Sequence, residues 1–260
     1  MDCLLECGLL TRLNLLIPFV KYLHSSRISG AHINPAVSLA FALDGRLRWH
    51  LVPIYMLAQY TGGFLAAMVL FLTYREAIES IDGGSHSAYG SSQSTGGIFA
   101  TYPASYVSPL GALLDQIVGT AILVFALIAV TDRANHGLKE RHQPIAIAFV
   151  IGLICVAFSP SCGAIFNPAR DVTPRLVTFI LGYPNVWAPL DGLYWLLAGL
   201  LGPHIGAIIG LFGYKYTMGK ALEAHRQYMQ QHIQSVVVHQ ESDPSKPHRL
   251  TTITTTTTRR

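Results

Sequence analysis

The chain has 260 residues, 51% of them hydrophobic and 12% charged, with a formal net charge of +4. Soluble domains average about 25% charged residues, so this composition excludes an ordinary soluble protein and points to a bilayer. The positive charge is too slight and too dispersed for a nucleic-acid partner.

In chain order, residues 1–28 read as a divergent or truncated N-terminal segment. The stretch 4–23 is a weak candidate span, because Glu6, Arg12, Asn14 and Lys21 would be costly inside a bilayer. It is not a signal peptide, since Arg12 and Lys21 interrupt the apolar run and no small-residue cleavage site follows. A membrane helix needs about 20 mostly apolar residues, a standard met over 50–73, 110–131 and 190–214, and by the shorter 144–160, which opens at Pro144. Lys/Arg bias places Arg46, Arg48, Arg133, Lys139, Arg141 and everything from Lys215 onward on the cytoplasmic side. The Gly-, Ser- and Tyr-rich connection 75–109 then lies outside, and the sides alternate correctly along the four spans. The tail, 219–260, leaves the membrane. Residues 219–238 can form a surface helix, and 241–260 read as disordered. Cys3, Cys7, Cys155 and Cys162 have no zinc or redox spacing and are expected to be reduced and structural.

Two distant stretches match in register: Gly30-Ala31-His32-Ile33-Asn34-Pro35-Ala36 and Gly163-Ala164-Ile165-Phe166-Asn167-Pro168-Ala169. Average residue usage would put a single Asn-Pro-Ala in a chain of this size with odds on the order of a few per cent; two in one shared frame are far rarer. Small residues follow each copy at four-residue spacing, Ala58, Gly62 and Ala66 after the first and Gly202, Gly206 and Gly210 after the second. Either ladder alone is ordinary helix packing. Together with the motifs they indicate two related halves, inserted with opposite orientation if each has an odd number of crossings.

Asn is a favoured helix N-cap and Pro a favoured first helical residue. Each motif opens an apolar stretch too short to span, Val37–Leu43 and Val172–Leu181, so each should start a half-helix. Backbone broken at mid-membrane is tolerated only where it is buried in protein or lines a water-filled cavity. Two half-helices entering from opposite faces would bring their positive ends together, repelling cations while the Asn amides donate to a passing hydroxyl. The bland alternative, two Asn-Pro turns outside the membrane, fits poorly with apolar segments abutting both copies.

These paired motifs, with Arg170 directly after the second, resemble the aquaporin (major intrinsic protein) family. Asp171, Pro174-Arg175 and the outer-loop segment Gly97–Pro103 are similar to its aquaglyceroporin branch. The resemblance covers about 29–218. It implies an all-α membrane protein, an aquaporin-like inverted-repeat bundle with two pore half-helices, lacking most of the first two spans. It further implies passive conduction of glycerol and water, with urea and other small neutral solutes admitted and protons and ions excluded. The implied pore residues are Asn34, Asn167, Arg170, Ala164, His32 and Gly163. Supporting them are Pro35, Ala36, Pro168, Ala169, Asp171 and Arg175, with Asp171 expected to hold the turn that opens the second half-helix through its charge. Ala164 stands where glycerol channels commonly carry an aromatic. That leaves a wide constriction, unless Phe166 reoccupies the space. No cofactor is implied and the chain is not expected to be an enzyme, as no nucleophile-base pair, metal cluster or phosphate loop is present in the sequence. The expected partners are the permeants and the bilayer, in a homotetramer or a hetero-oligomer with related channels, as a multi-pass protein of the plasma membrane.

Three departures from the family pattern stand out. Some 28 residues precede the first motif where two crossings need more than roughly 40. Gln116 stands where much of the family has a buried Glu, and Gly199 where glycerol channels often have Pro. They leave an alternative from another class: a non-conducting subunit that modulates assembly or trafficking of full-length relatives.

Overall fold

The computed structural model describes residues 30–135 and 138–241, with side chains described through residue 234. The candidate span at 4–23, the segment 1–28 and the end of the tail lie outside the described residues. The chain divides into two units, 1–216 and 217–260.

In the first unit every described regular element is helical. The half-helix α1 (Pro35–Leu43) is followed by α2 (Val52–Asp82), α3 (Pro109–Thr131), α4 (Gln143–Cys162), the second half-helix α5 (Pro168–Ile180) and α6 (Gly202–Tyr214), which is entered through a π-helical stretch, Trp195–Leu201. At 1.5 Å per residue, the 9 residues of α1 and 13 of α5 reach roughly 14 and 20 Å, well short of a bilayer core of about 30 Å. Among the described residues, four stretches, beginning at Trp49, Pro109, Glu140 and Trp195, are long and apolar enough to cross one.

Local chemistry sets most boundaries. Ser108 caps α3 by accepting from the Gly111 amide, and Pro109 occupies the first turn. The second helix α2 outruns the expected 50–73 by nine residues. It departs from helical geometry at Tyr74 (φ −112°, ψ 16°) and resumes until left-handed Gly83 (φ 62°) ends it. An Arg75–Glu79 pair at 2.7 Å bridges one turn of the extension, whose inner face buries Ile78 and Asp82. The connection after α2 is pinned there, since Asp82 accepts from Thr95 Oγ1 (2.8 Å) and Thr95 meets Tyr183 OH at 3.0 Å.

Packing is exchanged between the halves. Half-helix α1 lies against α6 of the second half, and α5 lies against α2 of the first. The largest interface joins α3 to α6. It is close because the second small-residue ladder faces it: a Cβ on Gly206 would stand 2.4 Å from Ile117 O, and one on Gly210 2.3 Å from Ala121 O. The first ladder is a correction to the sequence reading. Ala58, Gly62 and Ala66 are exposed, with nothing within 4 Å of a Cβ on Gly62. The close approach of α2 to α5 falls one residue later, where a Cβ on Gly63 would sit 2.5 Å from Thr173 Oγ1 and 2.8 Å from Ala169 O. One residue turns a helix by about 100°, enough to put Gly62 off the contact face.

The contrast makes a prediction. Gly206→Ala should destabilise the protein by roughly 1–3 kcal/mol, because backbone cannot yield as a flexible side chain can. Gly62→Ala should be tolerated or mildly stabilising, as Ala is the better helix former by about 1 kcal/mol. Thermal unfolding of both variants in detergent checks this, and equal midpoints would contradict the assigned contact face.

Asp44, which follows α1, is bound by Arg46 Nε (2.6 Å) and Lys215 Nζ (2.7 Å). Arg46 also reaches Thr131 Oγ1 at 2.7 Å, and Tyr214 OH donates to Asp132 at 2.8 Å. The far end of the half-helix is thereby tied to the ends of α3 and α6.

Candidate functional site

The two motifs meet tip to tip through reciprocal bonds. Asn34 Nδ2 donates to Phe166 O at 2.8 Å, and Asn167 Nδ2 donates to Ile33 O, also at 2.8 Å. On its other side each Asn caps its own half-helix: Asn34 Oδ1 accepts from Ala36 N (2.9 Å), and Asn167 Oδ1 from Ala169 N (3.1 Å) and Arg170 N (3.4 Å). Pro35 and Pro168 occupy the first helical positions, where no amide donor is needed, and Ala36 and Ala169 are buried beside them. The amide side chain is required here because it donates and accepts at once.

The approach to each tip has the same backbone. Gly30, Ala31 and Ile33 have φ of 72°, 51° and 44°; Gly163, Ala164 and Phe166 have 76°, 51° and 46°. Left-handed conformations in Ala, Ile and Phe are held only where surroundings over-determine them, at a cost of order 1–3 kcal/mol each. Around the second copy, part of that constraint comes from Gln116, fully buried on α3. Its Oε1 accepts from Ile165 N (3.1 Å) and Phe166 N (3.0 Å), while its Nε2 donates to Asp115 (2.7 Å). The uncharged substitute for Glu thus braces the turn with hydrogen bonds alone.

The remaining predicted residues divide between the tips and their outer support. His32 is buried, its Nδ1 3.2 Å from Ser38 Oγ, edge-on to Phe41 and beside Tyr55. Ser38 Oγ also accepts from Gln59 Nε2 at 2.9 Å, so the histidine is linked to α2. Ala164 is buried in the same apolar cluster as Phe166. The Phe166 ring is packed against Gly119 of α3 and edge-on to Phe158 of α4 at 5.7 Å. Gly163 ends α4, and a Cβ there would press on Thr101 Cγ2 at 2.9 Å. Arg170 is partly buried, and its Nη1 is buried without a hydrogen-bond partner.

Asp171, in the first turn of α5, is fully buried and accepts from Thr101 N (2.8 Å), Thr101 Oγ1 (2.7 Å), and Nε and Nη2 of Arg175 one turn on in the same half-helix (3.2 and 3.0 Å). Arg175, also fully buried, donates onward to Val186 O and Thr101 O and stacks over Tyr102 and Tyr194 at 4.8 and 5.6 Å. The pair clamps the connection around Thr101 and the segment after α5 onto the half-helix. It also accounts for Gly199, where a Cβ would lie 3.1 Å from Asp171 Oδ2. Sequence reasoning noted the segment around Thr101 without its bonding role, and missed Ser38, Gln59 and Tyr194. Apart from the Ser38–His32 contact six positions apart, their partners lie 21 to 93 positions away, beyond any local pattern.

Comparison with known proteins gives a consistent result. Residues 14–214 match the major intrinsic protein (MIP) family. Aquaporin-10 of Homo sapiens is 38% identical over 189 residues, covering 72% of this chain and 62% of the relative. Aquaporin-9 of Homo sapiens is 40% identical over 184 residues, 70% and 61% respectively, and Aquaporin-2 of Milnesium tardigradum 36% over 192 residues, 74% and 59%. The chain thus spans about six-tenths of the length of these relatives. Among solved structures, the aquaglyceroporin from Plasmodium falciparum superposes with a TM-score of 0.72 at 22% identity, over 82% of this chain and 85% of that one. That likeness establishes an aquaporin-like helical fold.

Proposed function

The chain belongs to the major intrinsic protein family, and from that premise we propose that it forms a passive transmembrane channel for glycerol and water, with urea and other small neutral solutes admitted and ions excluded. The observation that carries this reading is the reciprocal meeting of the two half-helix N-termini through Asn34 and Asn167. Each Asn amide uses one N–H on the opposite tip and keeps a second for a solute oxygen. The facing positive helix ends oppose cations. Beside them, the part-buried guanidinium of Arg170 supplies a fixed positive charge. His32, held by Ser38, completes the first approach. Flux follows the solute gradient, with no cofactor or chemical energy.

The same reading gives a multi-pass plasma-membrane protein, tetrameric by family analogy or mixed with related channels, with the tail in the cytoplasm. A second reading, a non-conducting subunit that modulates full-length relatives, is favoured by the uncovered α2 face at Ala58, Gly62 and Ala66.

Glycerol uptake and osmotic swelling in cells carrying the chain at a verified surface level separate the two. Uptake above background supports conduction, and its absence supports the second reading. In a conducting chain, Arg170→Ala should admit larger solutes and cations and lower discrimination by about tenfold, the equivalent of ~1.4 kcal/mol at the constriction. Flux assays with graded polyols and a cation check this; an unchanged profile would remove Arg170 from the filter.

A further inference from the structure

His32 is held by a two-step hydrogen-bond chain that begins on another helix. Gln59 of α2 donates through Nε2 to Ser38 Oγ at 2.9 Å, and Ser38 of α1 meets His32 Nδ1 at 3.2 Å. A hydroxyl has one hydrogen to give. Ser38 Oγ already accepts from the amide, and among the described residues Nδ1 is the one acceptor its hydrogen has. Nδ1 therefore accepts, and a neutral imidazole that accepts at one nitrogen carries its proton on the other. The chain thus selects the tautomer with the proton on Nε2. The reverse direction requires the Gln59 amide to turn round, so that Oε1 accepts from Ser38 and Ser38 accepts from Nδ1–H. That would put two N–H groups where Oε1 now lies buried without a partner, and buried unpaired N–H groups are rarer than under-satisfied carbonyls.

The packing around the ring fixes which edge faces the approach to the tip. Phe41 stands edge-on to the imidazole at 4.7 Å and Tyr55 is tilted against it at 5.0 Å. The Nε2 edge lies on the Gly30 side, where a Cβ would stand 3.2 Å from Nε2 and 3.3 Å from Cδ2, and Gly30 itself is exposed. Nε2 has no hydrogen-bond partner among the described residues, since the ring's one bond is made at Nδ1.

We infer that Gln59 is a positioning residue for the conduction path: acting through Ser38, it keeps the basic nitrogen of His32 turned into the protein and presents Nε2–H to the path. A lone pair facing the path could take a proton from it or hold a cation. With the proton fixed on Nε2 the ring donates to a solute oxygen, as the Asn34 and Asn167 amides do, and offers no base to a passing proton. This barrier role rests on the channel reading above; the position of the proton on the ring does not.

The test places the full chain in lipid vesicles with isotope-labelled imidazole nitrogens and reads the ring by nitrogen NMR, at mildly alkaline pH where a free imidazole is uncharged. The His32 signals are assigned by their loss in His32→Asn. In the parent the proton should sit on Nε2. Gln59→Met, similar in size but unable to donate, should let the proton distribute over both nitrogens. Ser38→Ala should do the same, and the two changes together should do no more than either alone. A role confined to packing would move stability without moving the proton. A parent ring protonated on Nδ1 or on both nitrogens by turns, or a Gln59→Met ring with the parent's distribution, overturns the proposal. In the same vesicles the ratio of proton to glycerol permeability should rise several-fold in Gln59→Met, and an unchanged ratio with the tautomer lost overturns the barrier role. A parent without glycerol flux refutes the channel reading and removes the barrier role with it, while the position of the proton on His32 is still read.

Discussion

Asp171→Ala is expected to lower the thermal midpoint of the protein by roughly 6–20 °C, the largest stability effect of any single change proposed. The carboxylate is fully buried and receives donors from Thr101 and Arg175. Removing it leaves the Arg175 guanidinium with two carbonyl acceptors, Val186 O and Thr101 O, but no counter-charge in a site without water access. Breaking one side of a buried pair costs about 3–5 kcal/mol, and for a chain of this size 1 kcal/mol moves the midpoint by about 2–4 °C. Native stability is only about 5–15 kcal/mol in total, so the variant would be recovered in much smaller folded yield. A double change, Asp171→Ala with Arg175→Met, removes both charges and should recover part of the loss. Fluorescence-detected unfolding in detergent reads both. A single variant as stable as the parent, or a double variant worse than the sum of its parts, would show that the pair does not hold the outer segments down.

Asp171 also marks where the sequence stops being legible. The repeat Gly-Ala-x-x-Asn-Pro-Ala announces two half-helices because capping chemistry is local: Asn accepts from amides two and three residues on, and Pro needs no donor. The long spans are legible for the same kind of reason, since a run of apolar residues has few other places to go. What pairs across the fold is not written locally. Nothing around Thr101 says that it will bond a carboxylate 70 positions later. The left-handed backbone at Ala31, Ile33, Ala164 and Phe166 is also hidden, because none of these residues favours it and the bracing amides of Gln116 and the two Asn come from elsewhere. The first small-residue ladder misleads differently. A spacing of four defines a stripe on a helix without saying which neighbour the stripe meets, and here Gly63, one place away, meets α5 while Gly62 does not.

Asn167→Asp separates folding from selectivity. The substitution keeps an oxygen to cap Ala169 N and Arg170 N, and a carboxylate at a helix N-terminus is electrostatically favourable. The chain should therefore insert and fold. Two things change at the tip. The donor to Ile33 O, now 2.8 Å away, is replaced by a second oxygen, so the reciprocal clasp with Asn34 loses one of its two strands. A negative charge also replaces a neutral donor where two positive helix ends face each other, cancelling part of the field that opposes cations. Glycerol flux should fall by about tenfold, a barrier increase of ~1.4 kcal/mol and within the net worth of one hydrogen bond to a charged or buried group. Cation leak should rise from background to a measurable rate. Asn34→Asp should do the same, because the clasp is symmetric. Reconstitution into vesicles at matched protein density, with parallel glycerol and cation assays, decides the matter. A folded variant with unchanged glycerol flux and no leak would mean that the paired tips build the fold without forming the filter, and the conduction path would then have to be sought away from Asn34 and Asn167.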